Sequence, residues 1–143
     1  MAHILIADDD ELVLEILAPM FRSAGHTVCT VVDGKQVLAA LKVRPADLLV
    51  LDCMMPRMNG IEVLRILRTL QDYCRLPIIM LTARNSPGDK EVALNSRVDM
   101  YCSKQCDPDW LVFQAEDLIE SKARIAPVAI NSWQEIDGPL RHC

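Results

Sequence analysis

Three kinds of side chain in this sequence stand where they could do chemistry: the carboxylates of Asp8, Asp9 and Asp52, the hydroxyl of Thr82, and the ammonium of Lys104. Each follows or closes a short apolar run: HILIA before Asp8, LLVL before Asp52, LPIIML before Thr82 and VDMYCS before Lys104. A buried, unpaired carboxylate is costly, so Asp52 at the end of an unbroken apolar run needs a cationic partner. Three carboxylates brought together repel one another and raise each other's pKa, a conflict that a divalent cation removes. Magnesium suits such a set, because it prefers one or two carboxylates plus waters and phosphate oxygens to a closed protein cage. A carboxylate in that setting can attack phosphorus and form an aspartyl phosphate. A lysine ammonium and a threonine hydroxyl are fitting partners for the phosphoryl oxygens.

The elements that must position these groups are legible from periodicity. Continuous apolar runs such as Leu48 to Leu51 read as strands buried on both faces, the mark of a parallel sheet. Thr27 to Val32 adds a β-branched strand. Between the strands lie helical stripes: Leu14, Leu17, Phe21 and Ala24; Val37, Leu38 and Leu41; Ile61, Leu64 and Leu67; and Leu111, Ala115, Leu118 and Ile119. A short fourth helix is expected from Ser86 and Pro87 to about Ser96, ahead of the helix that Asp107 and Pro108 open. Asp33 is placed to cap the second helix, which should end before Pro45. Gly25 is placed to stop the first, and Pro19 inside it predicts a kink or a local break. Five strands alternating with five helices specify an α/β sheet with right-handed crossovers. If all five strands are parallel, Asp8, Asp9, Asp52, Thr82 and Lys104 converge on one edge, where open α/β sheets carry out their chemistry.

The composition narrows the function classes. At 143 residues, 51% hydrophobic and 24% charged, the chain suits one domain with a sizeable core. A net charge of -5 argues against a broad phosphate-binding surface, so direct nucleic-acid binding by this chain is not expected. No apolar run approaches the ~20 residues of a membrane span, and the N-terminus lacks a basic signal region, so a cytoplasmic location is the default. The six cysteines include no C-x-x-C pair and are not clustered with the histidines at zinc-ligand spacing, so neither a structural metal nor a disulfide framework is expected. Residues 1–122 form the predicted domain. Residues 123–143 read as a partly ordered C-terminal tail or the start of a linker, because Pro127 and Pro139 break helix while Ile125, Val128, Ile130 and Trp133 are too apolar for an inert spacer.

ILIADDD at the first strand, LLVLDCMMPRMNG at the third, MLTA at the fourth and YCSK at the fifth match a family in order and in spacing. Over roughly residues 3 to 122 the pattern resembles the receiver domain of two-component response regulators. The resemblance implies a flavodoxin-like, CheY-like doubly wound sheet of order 2-1-3-4-5 with helices on both faces. It implies that Asp52 accepts a phosphoryl group from a sensor histidine kinase or a phosphotransfer protein. Mg²⁺ would be held by Asp8, Asp9, Asp52 and the backbone carbonyl of Met54. Lys104 and Thr82 would bind the phosphoryl group, Thr82 and Tyr101 would form the switch, and Met54 and Arg84 would modulate its lifetime. Such a domain is not an enzyme beyond catalysing its own phosphorylation and dephosphorylation. Its fourth helix, fifth strand and fifth helix would control an output domain or downstream protein, and the same face would serve any homodimer.

The sequence also departs from that family. The lysine is usually followed by a proline in a cis peptide, and here Lys104 is followed by Gln105. A non-proline cis bond costs about 2.5–4 kcal/mol, so a trans bond and a differently shaped loop are expected. Ser96 and Arg97 replace the small residues common before the fifth strand. Two rival readings follow. The altered loop would suit a receiver-like interaction module without phosphoryl control, and Asp8-Asp9-Asp10 resembles the D-x-D of a small phosphohydrolase of the haloacid dehalogenase type. The second rival leaves Asp52 unexplained.

Overall fold

A computed structural model describes residues 1–83 and 95–136, the side chains as far as residue 123. Five strands, β1 (His3–Ala7), β2 (Thr27–Val31), β3 (Leu48–Asp52), β4 (Ile78–Thr82) and β5 (Met100–Ser103), form one sheet. Its order is β2-β1-β3-β4-β5 and every pairing is parallel, as the sequence implies. The helices described are α1 (Glu11–Ser23), α2 (Gly34–Val43), α3 (Gly60–Thr69) and α4 (Pro108–Ile136), the last being the fifth expected from sequence. The predicted helix from Ser86 falls mostly on residues 84–94, outside the described set, as does Arg84.

Alternation along the strands explains their unbroken apolar runs. Leu5, Leu49, Leu51, Ile78 and Met80 face a core completed by Val37 and Leu41 of α2 and by Val63, Leu64 and Leu67 of α3. Ile4, Ile6, Leu48, Val50, Ile79 and Leu81 face the other way, against Leu17, Ala18 and Phe21 of α1 and Leu111, Val112 and Ala115 of α4. The three central strands are buried throughout, whereas the edge strands β2 and β5 are only partly so. Burying both faces of a strand needs apolar residues at every position.

Two expectations need correction. Pro19 does not break α1, which is one helix from Glu11 to Ser23. Proline lacks the N–H that would bond the Glu15 carbonyl, and both residues are exposed, so that carbonyl is not buried without a partner. The last helix does not stop near residue 122; α4 continues to Ile136 through Pro127, since a proline deletes one helical bond and leaves its neighbours' bonds available. Cys29, Cys53, Cys102 and Cys106 are free thiols. The Asp33 cap behaves as expected, accepting from the Gln36 N–H at 3.0 Å, and the structure adds a capping box of Asn59 and Glu62 on α3.

Candidate functional site

The strand ends place the predicted residues together. Register pairs Ala7 with Leu51 and Asp52 with Leu81, so Asp8 and Asp52 leave neighbouring strands side by side. Asp8 and Asp52 are almost fully buried, at 1% and 3% exposure, while Asp9 is exposed. The carboxylate oxygens of all three come within 4.8 Å of one another. Asp10 is turned away: its side chain caps α1 by accepting from the Leu12 N–H at 3.0 Å. That leaves no second carboxylate for a D-x-D centre, which removes the basis of the phosphohydrolase reading.

Lys104 reaches into the same pocket. Its Nζ lies 2.9 Å from Asp8 Oδ2 and 3.2 Å from Asp52 Oδ2. The hydrogen bond it donates goes to Asp8 Oδ1, at 3.0 Å. The Oδ2 atoms of Asp8 and Asp52 thus sit beside the ammonium at ion-pair distance, yet both are buried without a hydrogen bond of good geometry. Asp52 Oδ1 accepts from the Met54 N–H at 3.2 Å. Burial, and next the charge of Asp8, push the Asp52 carboxyl up to about 7, although Lys104 and the Met54 N–H pull the other way. For Lys104, burial favours the neutral form, but the hydrogen bond to Asp8 and the charges of Asp52 and Asp8 prevail and raise its pKa.

The surrounding loops are shaped to hold this arrangement. After β3, the Gly60 N–H donates to the Cys53 carbonyl at 2.9 Å, folding the loop back on its own strand. A Cβ on Gly60 would overlap the Asp52 carbonyl, so only glycine fits. The loop also rests on α2, where Gly34 lies against the Met58 carbonyl and Arg57, in the left-handed region at φ 69°, reaches Asp33 at 3.5 Å. Sequence reading missed Asp33, Gly34 and Arg57 as supports of this loop. The Asp-Gly pair at 33–34 signals a helix start, but only the tertiary structure shows what leans on it.

After β5, the Lys104 N–H donates to the Thr82 carbonyl at 2.8 Å and the chain turns sharply, the Cys106 N–H donating to the Ser103 carbonyl at 3.1 Å. No cis peptide occurs among the described residues, so Lys104 and Gln105 are joined by the expected trans bond. Thr82, 4% exposed, ends β4 beside this turn, and Tyr101 is half-buried on β5 against the α2–α3 core. Cys102 and Cys106 are neighbours across the turn; burial first, then Cys106, pushes Cys102 up to about 12, which makes it an unreactive packing group.

Residues 4–116 match the model of the response regulator receiver domain. The chain belongs to that family. Among curated relatives, this receiver domain is 31% identical to the alkaline phosphatase synthesis transcriptional regulatory protein PhoP of Bacillus subtilis, over 96% of this chain and 56% of PhoP. It is 39% identical to the DNA-binding response regulator MtrA of Mycolicibacterium smegmatis, over 77% of this chain and 47% of MtrA. The chain spans about half the length of the curated relatives it matches. In three dimensions it is similar to the receiver domain of the Francisella response regulator 1452, with a TM-score of 0.77 and 30% identity over 85% of this chain and 98% of that one. The fold is therefore that of a CheY-like receiver. Among the described residues, no helix is long and apolar enough to cross a membrane.

The acidic pocket fits a divalent cation. Two buried carboxylate oxygens lack hydrogen bonds, and a third, exposed carboxylate stands within reach of both. A hard cation accepts such a set of oxygens and leaves room for water.

Proposed function

We propose that this receiver domain is a phosphorylation-controlled signalling switch in which Asp52 accepts a phosphoryl group from a sensor histidine kinase or a phosphotransfer protein. The observation that carries this reading is the buried Asp52 carboxylate, flanked by Asp8 and Lys104, with one oxygen free of hydrogen bonds. Asp8, Asp9, Asp52 and the Met54 carbonyl would hold Mg²⁺, which supplies positive charge for the phosphoryl oxygens. Asp52 is the nucleophile, and the Met54 N–H and Lys104 orient its carboxylate. Lys104 then pairs with the phosphoryl group, which releases it from Asp8. The Thr82 hydroxyl donates to a phosphoryl oxygen, and Tyr101 changes rotamer in step. Met54, which is 69% exposed, and Arg84 flank the group and set how fast water removes it.

The chain catalyses no more than its own phosphorylation and dephosphorylation. Its readout face is the helix expected from Ser86, β5 and α4. That face controls an output domain or downstream protein, and it is also the surface for any homodimer. Residues 1–122 are the receiver and 123–143 a tail or linker toward that output. A cytoplasmic location and the absence of direct nucleic-acid contact by this chain belong to the same reading. The rival interaction module draws its motive from Gln105, but the trans turn still delivers Lys104 Nζ to 3.2 Å from Asp52, which favours phosphoryl control. Incubating the protein with acetyl phosphate, with and without Mg²⁺, and weighing it intact tests the proposal. A Mg²⁺-dependent mass gain of one phosphoryl group that Asp52→Asn abolishes is expected, and its absence in the unmodified protein would defeat the reading.

A further inference from the structure

We propose that Ser103 is a positioning residue for Lys104. Its hydroxyl closes the turn that aims the Lys104 ammonium at Asp8 and Asp52, taking the part of the proline that receivers usually carry after the lysine. The functional consequence rests on the phosphoryl-switch reading above; the positioning itself does not.

Three consecutive backbone donors are satisfied in this turn, two of them by one residue. The Lys104 N–H donates to the Thr82 carbonyl at 2.8 Å, and the Cys106 N–H to the Ser103 carbonyl at 3.1 Å. Between them the Gln105 N–H donates to Ser103 Oγ at 3.0 Å. The chain therefore reverses over residues 103–106, with Lys104 and Gln105 as the central pair. A proline at the second central position fits such a reversal only as a cis residue, in a type VI turn. Here the peptide is trans and position 105 retains an N–H that a proline lacks. A serine hydroxyl one strand residue before the lysine is the right acceptor, since Ser and Thr side chains bond the backbone two residues on.

Rigidity matters at this point because of leverage. Lys104 has a long, rotamer-rich side chain whose Nζ must meet carboxylates at the ends of two other strands, 2.9 and 3.2 Å away. Thr82 anchors the backbone on the strand side of Lys104, and Ser103 anchors it on the other. Gln105 is exposed, so without the hydroxyl its N–H would bond water and that second anchor would be lost. The thiol contact between Cys102 and Cys106 spans the same turn, but a thiol is a weak donor and cannot substitute for it.

The test compares Ser103→Ala, Ser103→Thr and the unmodified full chain. Beryllofluoride, a phosphoryl mimic, is titrated at fixed Mg²⁺, and Mg²⁺ alone is titrated separately. Loss of one neutral hydrogen bond predicts mimic binding weaker by ~2- to 10-fold in Ser103→Ala. Mg²⁺ affinity, which depends on the aspartates, stays the same, and Ser103→Thr restores mimic binding. In the metal-free protein, the side-chain ¹⁵N signal of Lys104 moves toward that of a solvated lysine in Ser103→Ala and stays put in Ser103→Thr. Either an unmoved lysine signal in Ser103→Ala, an equal loss of Mg²⁺ and mimic binding, or a threonine variant as impaired as the alanine would overturn the proposal. If the unmodified protein binds no mimic at all, the phosphoryl reading falls instead, and the lysine signal alone decides whether Ser103 positions Lys104.

Discussion

At the scale of single residues, the site is a set of charges held in unequal environments. Asp52 is buried beside Asp8, and its pKa, raised to about 7, means that the folded, metal-free protein holds the Asp52 proton only below about pH 7. A carboxyl whose folded pKa lies above its unfolded value contributes stability below the unfolded pKa and loses it as pH rises through the folded one. Metal-free protein should therefore lose stability between about pH 4 and pH 7, the window bounded by its unfolded and folded values. Asp52→Asn should remove that dependence, being more stable than the unmodified chain at pH 8 and no more stable at pH 4. The gain should be on the order of 1 kcal/mol, because water reaches the pocket edge, and Mg²⁺ should narrow it by stabilising only the unmodified chain. Urea titrations at the two pH values check this. Asp9 and Asp10 separate metal binding from capping. Asp9→Ala should abolish Mg²⁺ binding measured by calorimetry and leave stability nearly unchanged. Asp10→Ala should retain Mg²⁺ and cost ~1 kcal/mol, since only the α1 cap is lost. Equal losses of Mg²⁺ binding from both would refute the assignment.

At the scale of elements, a polar knot at the far end of the sheet keeps the site's scaffold in register. Arg68 on α3 is 4% exposed and donates to the carbonyls of Tyr73, Cys74, Leu76 and Arg97, and to Asp99 Oδ2. Asp99 Oδ2 also accepts from the Ile78 N–H at 2.8 Å, and its Oδ1 pairs with Lys122 of α4 at 3.0 Å. One guanidinium thus joins α3 to the starts of β4 and β5, and Asp99 links these to α4. Arg68→Ala should destabilise the fold by ~3–5 kcal/mol, because it leaves several carbonyls without their donor and takes one of its charged partners from Asp99. Chemical denaturation would measure the loss, and a change under ~1 kcal/mol would show that water takes over these bonds.

At the scale of the whole molecule, the parallel sheet gathers chemistry at one edge and leaves the other edge for structure. Phosphorylating Asp52 adds charge that donors on β4 and β5 can meet, so the response should travel across that side. A charge-assisted hydrogen bond from Thr82 is worth on the order of 1.5–3 kcal/mol, enough for a ~10- to 150-fold population shift. Thr82→Ala should still take up phosphate, whereas amide shifts around Tyr101 on β5 should respond weakly to a phosphoryl mimic. A Tyr101 region equally silent in the unmodified protein would favour an interaction module over a switch.

The sequence by itself determined most of this protein. Apolar runs ending in Asp8, Asp52, Thr82 and Lys104 specified a parallel sheet and the edge at which those residues meet, because burying a strand on both faces leaves room for charge only at its ends. Asp33 before α2 and the trans bond after Lys104 were legible for equally local reasons. What only the tertiary structure decided is which groups touch. Lys104 gives its hydrogen bond to Asp8 rather than Asp52, Asp8 is buried where Asp9 is exposed, and Ser103 takes the N–H of Gln105. Local propensity sets a break at Pro127 and a kink or break at Pro19, yet α1 and α4 run through them, since a proline deletes one helical bond and leaves the others available. Arg68, an ordinary helix residue in sequence, became a buried hub because loops distant along the chain aim their carbonyls at it. Periodicity is a local property and survives in one dimension; partnership between side chains far apart in sequence exists only once the chain has closed on itself.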